Sequence, residues 1–218
     1  MLRQLFGRNG GHRPYRSDAA NDLYNLLFCD EPARFVRKVT PQGVLAAVLA
    51  EPADRVVLES IAGDRDMESR VRMLAFNRLR AMNVAVPPRR LLGVILEVPQ
   101  DGGLDTLAVF ADGRMRYINQ AERIAIFEEA PPAIAEKAQM VLDASQAVVD
   151  QIGPANEPRR APPTGDLTRM TFLVSDGLYF GEAATDDMYA DKLGGPVMGN
   201  AAELLNMLVT HAMQRQGG

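Results

Sequence analysis

Apolar residues change their spacing near the middle of the chain. From Ser17 to Val86 they recur every three or four positions, and from Leu91 to Phe127 they run together or alternate. The first spacing predicts helices and the second predicts strands. Ser17 is placed to cap a first helix with Ala19, Leu23, Leu26 and Leu27 along one side. Pro32 starts a short helix bearing Phe35, Val36 and Val39. Thr40-Pro41 opens another, with Val44, Leu45, Val48 and Leu49, and the proline falls in the first turn where its missing N–H costs nothing. Pro52 opens a helix with Val56, Val57 and Ile61, closed by Gly63. The strongest helical pattern of this half is Asp66 to Met82. Met67, Val71, Leu74, Ala75, Leu79 and Met82 form one stripe, Asp64 or Asp66 caps it and Asn83 ends it.

Pro87-Pro88 breaks that pattern, because a residue before proline is pushed out of the α region. Leu91 to Val98 then reads as a strand buried on both faces, an apolar run interrupted by one charge, Glu97. Thr106 to Asn119 reads as a hairpin around Asp112-Gly113. A two-residue type I′ turn there pairs Ala111 with Arg114, Val109 with Arg116, Ala108 with Tyr117 and Leu107 with Ile118. That register gathers Ala108, Phe110, Met115 and Tyr117 on one face, and Leu107, Val109, Ile118, Arg114 and Arg116 on the other. Ile124 to Phe127 adds a strand. Pro131-Pro132 opens a long helix reaching Ile152, with Gly153 as its stop. A second hairpin turns at Asp176-Gly177, between strands Arg169 to Ser175 and Leu178 to Gly181. Thr185 caps a short helix ending at Gly194. The glycine-rich Gly194 to Gly199 leads into a last helix, capped by Asn200 with Glu203, whose stripe is Leu204, Leu205, Leu208 and Ala212.

The fold class that follows is α+β: a helical N-terminal half, then an antiparallel sheet with two Asp-Gly hairpins, covered by helices. Three regions are expected. Residues 1–16 form a basic flexible tail with four arginines and no acid, and residues 17–86 form the helical region. Residues 87–218 form the sheet domain, with a proline-rich extended loop at 153–166. The short Pro87-Pro88 boundary is compatible with one compact unit, the helical half covering the second sheet face.

Composition adds exclusions. The 218 residues carry a formal net charge of -4, which argues against a general nucleic-acid binder. One cysteine, Cys29, permits no intrachain disulfide, and with no secretory signal this fits the cytoplasm. No apolar run approaches a membrane span. The basic tail offers at most a weak contact with an anionic surface. No Gly-x-Ser-x-Gly, Cys-x-x-Cys, His-Glu-x-x-His or dinucleotide fingerprint is present, and neither a cofactor nor a metal centre is expected. The acids Asp186, Asp187 and Asp191 read as residues favoured by a helix N-terminus rather than as a magnesium site.

Two places carry candidate binding chemistry. Arg116, Tyr117 and Asn119 lie at the end of the first hairpin, where Arg116 on a partly apolar face can grip a carboxylate or phosphate. The alternative for Arg116 is an internal ion pair with Glu97, Glu122 or Glu128. Gly195, Gly199 and Asn200 precede the last helix, where backbone N–H groups can cradle an anion, the alternative being a capped helix entry. The order of elements over Leu91 to Gln214 (strands, long helix, hairpin, helix) resembles that of small scaffold domains of the roadblock or profilin-like type, with no shared motif. That resemblance implies a non-enzymatic interaction or scaffold protein that meets a protein partner or a second copy of itself. The other expectation is a small-molecule or anion-binding domain, with a pocket near Arg116, Tyr117 and Asn119 or near the Gly194–Asn200 helix start.

Overall fold

The computed structural model describes residues 11–36 and 40–216. Its chain order is α1 (Asp18–Leu27), a 3₁₀ turn (Pro32–Val36), α2 (Gly43–Leu49), α3 (Arg55–Gly63) and α4 (Ser69–Ala81). There follow β1 (Leu91–Gln100), β2 (Gly103–Phe110), β3 (Met115–Ile118), β4 (Ile124–Phe127), α5 (Pro132–Val149), β5 (Leu167–Val174), β6 (Gly177–Ala184), α6 (Thr185–Ala190) and α7 (Gly194–Gln216). The six strands form one antiparallel sheet in the order β4-β3-β2-β1-β5-β6. The fold class is therefore α+β, helices first, then sheet and helices.

Both sheet faces are covered. On one, Leu92, Ile95, Ala108, Phe110, Ile118 and Leu173 pack against Tyr24, Leu27, Phe28, Leu58, Met73, Leu74 and Phe76 of the N-terminal helices. On the other, Val94, Leu96, Val109, Met115, Phe172 and Val174 pack against α5 and α7 through Ile134, Val141, Leu142, Leu204 and Leu208. A strand sandwiched in this way needs non-polar residues at every covered position, and β1 has them from Leu91 to Val98 with one exception. Its exception, Glu97, is fully buried and accepts a 2.6 Å hydrogen bond from the Tyr24 hydroxyl of α1.

The first hairpin departs from the two-residue turn. The Gly113 N–H donates to the Phe110 carbonyl and the Phe110 N–H donates to Arg114, and Gly113 has φ +84 while Asp112 is not in the left-handed region. This is a type I turn followed by a glycine bulge. Val109 pairs with Met115, Ala108 with Arg116, Leu107 with Tyr117 and Thr106 with Ile118. The register slips by one, and with period two the slip exchanges the faces of β3. Met115 and Tyr117 therefore join Leu107 and Val109, while Arg116 and Ile118 join Ala108 and Phe110. The cause is a long-range tie: Asp112 Oδ2 accepts from the Ser69 N–H at 2.7 Å, and Ser69 Oγ accepts from the Asp112 N–H at 3.0 Å. The same carboxylate thus satisfies an open N–H of α4, which starts at Ser69 rather than at an Asp64 or Asp66 cap. In the second hairpin Val174 pairs with Gly177, so the two turn residues are Ser175 and Asp176.

Other boundaries shift for similar reasons. In α1, Ser17 accepts from the Ala20 N–H at 3.3 Å as a cap, but the buried side is Ala20, Tyr24 and Leu27 rather than Ala19, Leu23 and Leu26. Residues 1–10 of the expected tail lie outside the described residues. Residues 11–16 are not free: Tyr15 is buried with its hydroxyl 2.7 Å from Thr106 Oγ1, and Glu122 accepts from the Arg16 and Ser17 N–H groups. The proline-rich loop lacks regular structure yet is pinned. The Arg159 guanidinium lies 4.0 Å from the centre of the Phe28 ring and 5.4 Å from that of Tyr24, and it pairs with Asp30 at 2.8 Å.

Candidate functional site: a groove between the sheet and the last two helices

The register that turns Tyr117 toward α7 also makes a site. β1 offers Leu96, Val98 and Gln100, β2 offers Asp105 and Leu107, and β3 offers Tyr117. Above them lie Thr185 and Tyr189 of α6 and Met198, Ala201, Ala202 and Leu205 of α7. Together they line a groove of about 250 Å³. Its floor is buried, with Leu96, Leu107, Met198 and Ala201 all at most 5 % exposed. Its mouth carries the exposed Gln100 and Tyr189 and the half-buried Ala202 and Leu205.

Two helices must meet closely for this wall to exist. The carboxylate of Asp191, between α6 and α7, accepts from the N–H groups of Leu193 at 2.9 Å and Gly194 at 2.7 Å. These two bonds hold its pKa below the usual aspartate value, the Gly194 bond contributing most. Gly195 sits where any Cβ would come within 2.5 Å of the Tyr189 carbonyl oxygen, so only glycine lets α7 start against the end of α6. The last helix thus begins at Gly194, six residues before the expected Asn200 cap. Pro196 is accommodated in its first turn, and Asn200 lies inside it, donating to the Pro196 carbonyl at 2.8 Å.

The groove holds one internal polar pair. The Tyr117 hydroxyl donates to Asp105 Oδ2 at 3.0 Å, and the Gln120 N–H donates to Oδ1 at 2.7 Å. Burial raises the pKa of Asp105, opposed by these two bonds. Burial, then the neighbouring Asp105 charge, pushes the Tyr117 phenol well above its ordinary value, so the phenol stays protonated and is the donor. The hydroxyl oxygen and the remaining carboxylate lone pairs can still accept. Asp105 is the one charged side chain in the lining.

Of the six residues singled out from sequence, the structure brings Tyr117 into the groove and places Gly195 at its supporting helix junction. Arg116 points to the opposite face. Its guanidinium, 3 % exposed, pairs with Glu128 at 2.5 Å and donates to the Met115 and Phe127 carbonyls. Asn119 is turn structure, its side chain accepting from the Ala121 and Arg123 N–H groups. Gly199 and Asn200 lie within the first two turns of α7, whose open N–H groups are partly met by Asp191. Asp105, Tyr189, Met198 and Leu205 were not visible as site residues, because about 80 positions of chain separate the strand wall from the helix wall.

A second, larger cleft of about 600 Å³ lies between the N-terminal helices and the 154–159 loop, lined by His12, Asp30, Arg80 and Asp176 among others. Its charges are largely spent internally, Arg159 on Asp30 and Arg80 on the Ser175 carbonyl at 2.6 Å. Among the described residues, no group of three or more His, Cys, Asp or Glu side chains is gathered for a metal ion, and no helix is long and apolar enough to cross a membrane. Comparison with protein-family models, with curated proteins and with solved structures finds no match to this chain, so the element-order resemblance to small scaffold domains has no counterpart there.

Proposed function

We propose that the protein works by binding rather than by catalysis, and that its site is the groove between the sheet and α6–α7. The occupant is a small apolar group, an alkyl chain or a ring, with a hydrogen-bond donor or a cation at one end. One observation carries this reading: a mostly apolar slot whose single charged side chain, Asp105, is held by Tyr117, with Gln100, Thr185 and Tyr189 as the other polar groups of the lining. Ligand sites are commonly concave and apolar with a few placed polar groups. A carboxylate or phosphate head would meet Asp105 and be repelled, whereas an ammonium or hydroxyl head would be received. The polar pair is already self-satisfied, and the phenol is held protonated, which suits recognition better than proton transfer. The lone buried thiol, Cys29, pushed up by burial, is consistent with a structural residue in a reducing compartment such as the cytoplasm.

The test compares hexylammonium with hexanoate in thermal-shift titrations. Hexylammonium is expected to raise Tm by stabilising the folded chain by RT ln(1 + [L]/Kd), about 2.7 kcal/mol at a hundredfold excess over Kd. Hexanoate is expected to give no shift. Ala202→Trp, at the half-exposed mouth, is expected to fill the groove and abolish the response without lowering Tm. Equal responses to both probes, or an unchanged response in Ala202→Trp, would overturn the reading.

A further inference from the structure

The helices bury both sheet faces, so any association through the sheet must use its edges, and the two edges differ. The β6 edge is covered by the proline-rich loop: the Ala155 N–H donates to the Leu178 carbonyl at 2.8 Å, and Arg160 lies over the Phe180 ring at 4.6 Å. At the β4 edge the sheet ends, and among the described residues no strand continues it. Natural edges are usually blunted by proline, lysine or a bulge. Ile124–Phe127 contains no proline or lysine, and its pairing with β3 runs without a register shift. Ile124 and Ile126 are 40 % and 55 % exposed, unusual for isoleucine in a short strand.

The backbone orientation is also defined. The Asn119 N–H donates to the Arg123 carbonyl, so Arg123, Ala125 and Phe127 turn their backbone groups toward β3. By alternation, Ile124 and Ile126 turn theirs outward. Antiparallel pairing of β4 with itself about a two-fold axis normal to the sheet requires residues of like parity to face each other. Centred on Ile126, it lets the two Ile126 residues exchange both backbone bonds and stacks the four exposed isoleucines on one side. The same pairing sets Arg123 directly opposite Glu129 of the other copy, on the face away from the isoleucines, and sets Ile124 opposite Glu128. The run Arg123-Ile-Ala-Ile-Phe-Glu128-Glu129 is thus self-complementary in charge as well as in apolar character.

We propose that two copies of this chain associate through β4, joining their sheets into one antiparallel sheet of twelve strands. The inference does not depend on what the groove binds. The ladder is short, so the dimer forms at high protein concentration.

Sedimentation velocity from about 10 µM to about 1 mM spans the range expected of so small an interface. The expected result is a rise from monomer to dimer, with amide exchange at Ile124 and Ile126 slowed as the dimer forms. Ile126→Lys, at an exposed position, is expected to remain folded and monomeric throughout. Arg123→Glu and Glu129→Arg are each expected to weaken the dimer at least tenfold, and the double swap to restore it. A monomer at every concentration, or a dimer indifferent to Ile126→Lys, would overturn the proposal. A dimer lost in Ile126→Lys but indifferent to both charge reversals would overturn the pairing centred on Ile126.

Discussion

Replacing Tyr24 by phenylalanine should destabilise the protein by an amount that grows with pH. Tyr24 and Glu97 are both fully buried, and among the described residues the Tyr24 hydroxyl is the one donor on Glu97 Oε1, at 2.6 Å. Among the described residues Glu97 Oε2 has no hydrogen-bond partner, and the nearest cation, Arg169, is 4.0 Å away and is itself bonded to Glu182 and the Ala161 carbonyl. Burial raises the Glu97 pKa above its ordinary 4.5, and the Tyr24 bond is the strongest opposing influence. Between 4.5 and the raised value the folded chain holds a proton that the unfolded chain has lost. The stability this group contributes is therefore complete below 4.5 and is lost as pH rises through the folded value. Tyr24→Phe removes the donor that favours the ionised form, so it raises that value further and deepens the loss at higher pH. A hydrogen bond to a neutral carboxyl is worth about 1 kcal/mol and one to a carboxylate about 1.5–3 kcal/mol. Urea unfolding should thus show a deficit of about 1 kcal/mol where Glu97 is protonated in the folded chain, rising toward about 2–3 kcal/mol as pH climbs past its raised folded value. In a Glu97→Gln background the deficit should stay at about 1 kcal/mol throughout, since that partner cannot ionise. A deficit independent of pH in the otherwise native chain would mean that the Tyr24 hydroxyl does not favour the ionised form of Glu97.

Gly195→Ala should destabilise by about 1–3 kcal/mol through overpacking against the Tyr189 carbonyl, read as a lower urea midpoint at unchanged slope, and should weaken hexylammonium binding by displacing the helix wall. Asp191→Ala should lower Tm at neutral pH by uncapping α7. Because the Asp191 pKa is depressed, that deficit should be present above 3.8 and shrink as pH falls below it. Asp105→Asn should keep the Tyr117 contact yet remove the preference for a cationic head, so that titrations with hexylammonium and hexan-1-ol converge. Ile126→Lys should leave Tm within a degree or two while abolishing self-association, since its side chain is 55 % exposed.

Legibility from sequence followed the range of the forces involved. β1 was readable because its apolar run is local, and Pro87-Pro88 marked its start. α5 was readable because its stripe and its entry prolines are contiguous. The single charge in β1 was visible, but not that Tyr24, 73 positions earlier, would satisfy it. The Asp112-Gly113 hairpin was visible as a turn, but not its register. The dipeptide suits both a type I′ turn and a type I turn with a glycine bulge, and the choice follows the bonds between Asp112 and Ser69 across 43 positions. That one slip decided whether Tyr117 or Arg116 faced α7, and hence which of them could line a groove. The α7 start was misplaced because glycines and a proline read as loop, whereas Asp191 caps them and Tyr189 demands the glycine. The 153–166 loop read only as an extended, proline-rich stretch on composition alone, and the cation–aromatic contact of Arg159 with Phe28 is what pins it.

The most direct test of the groove is a methyl and amide NMR titration of the intact protein with hexylammonium. Saturable shifts are expected at Leu96, Leu107, Met198 and Leu205 and at the Asp105 and Gln120 amides, with little change on the α1–α4 face and no such shifts with hexanoate. Saturable shifts confined to the cleft around His12 and Arg80, or none at the groove up to the solubility limit of the probe, would contradict binding in the groove.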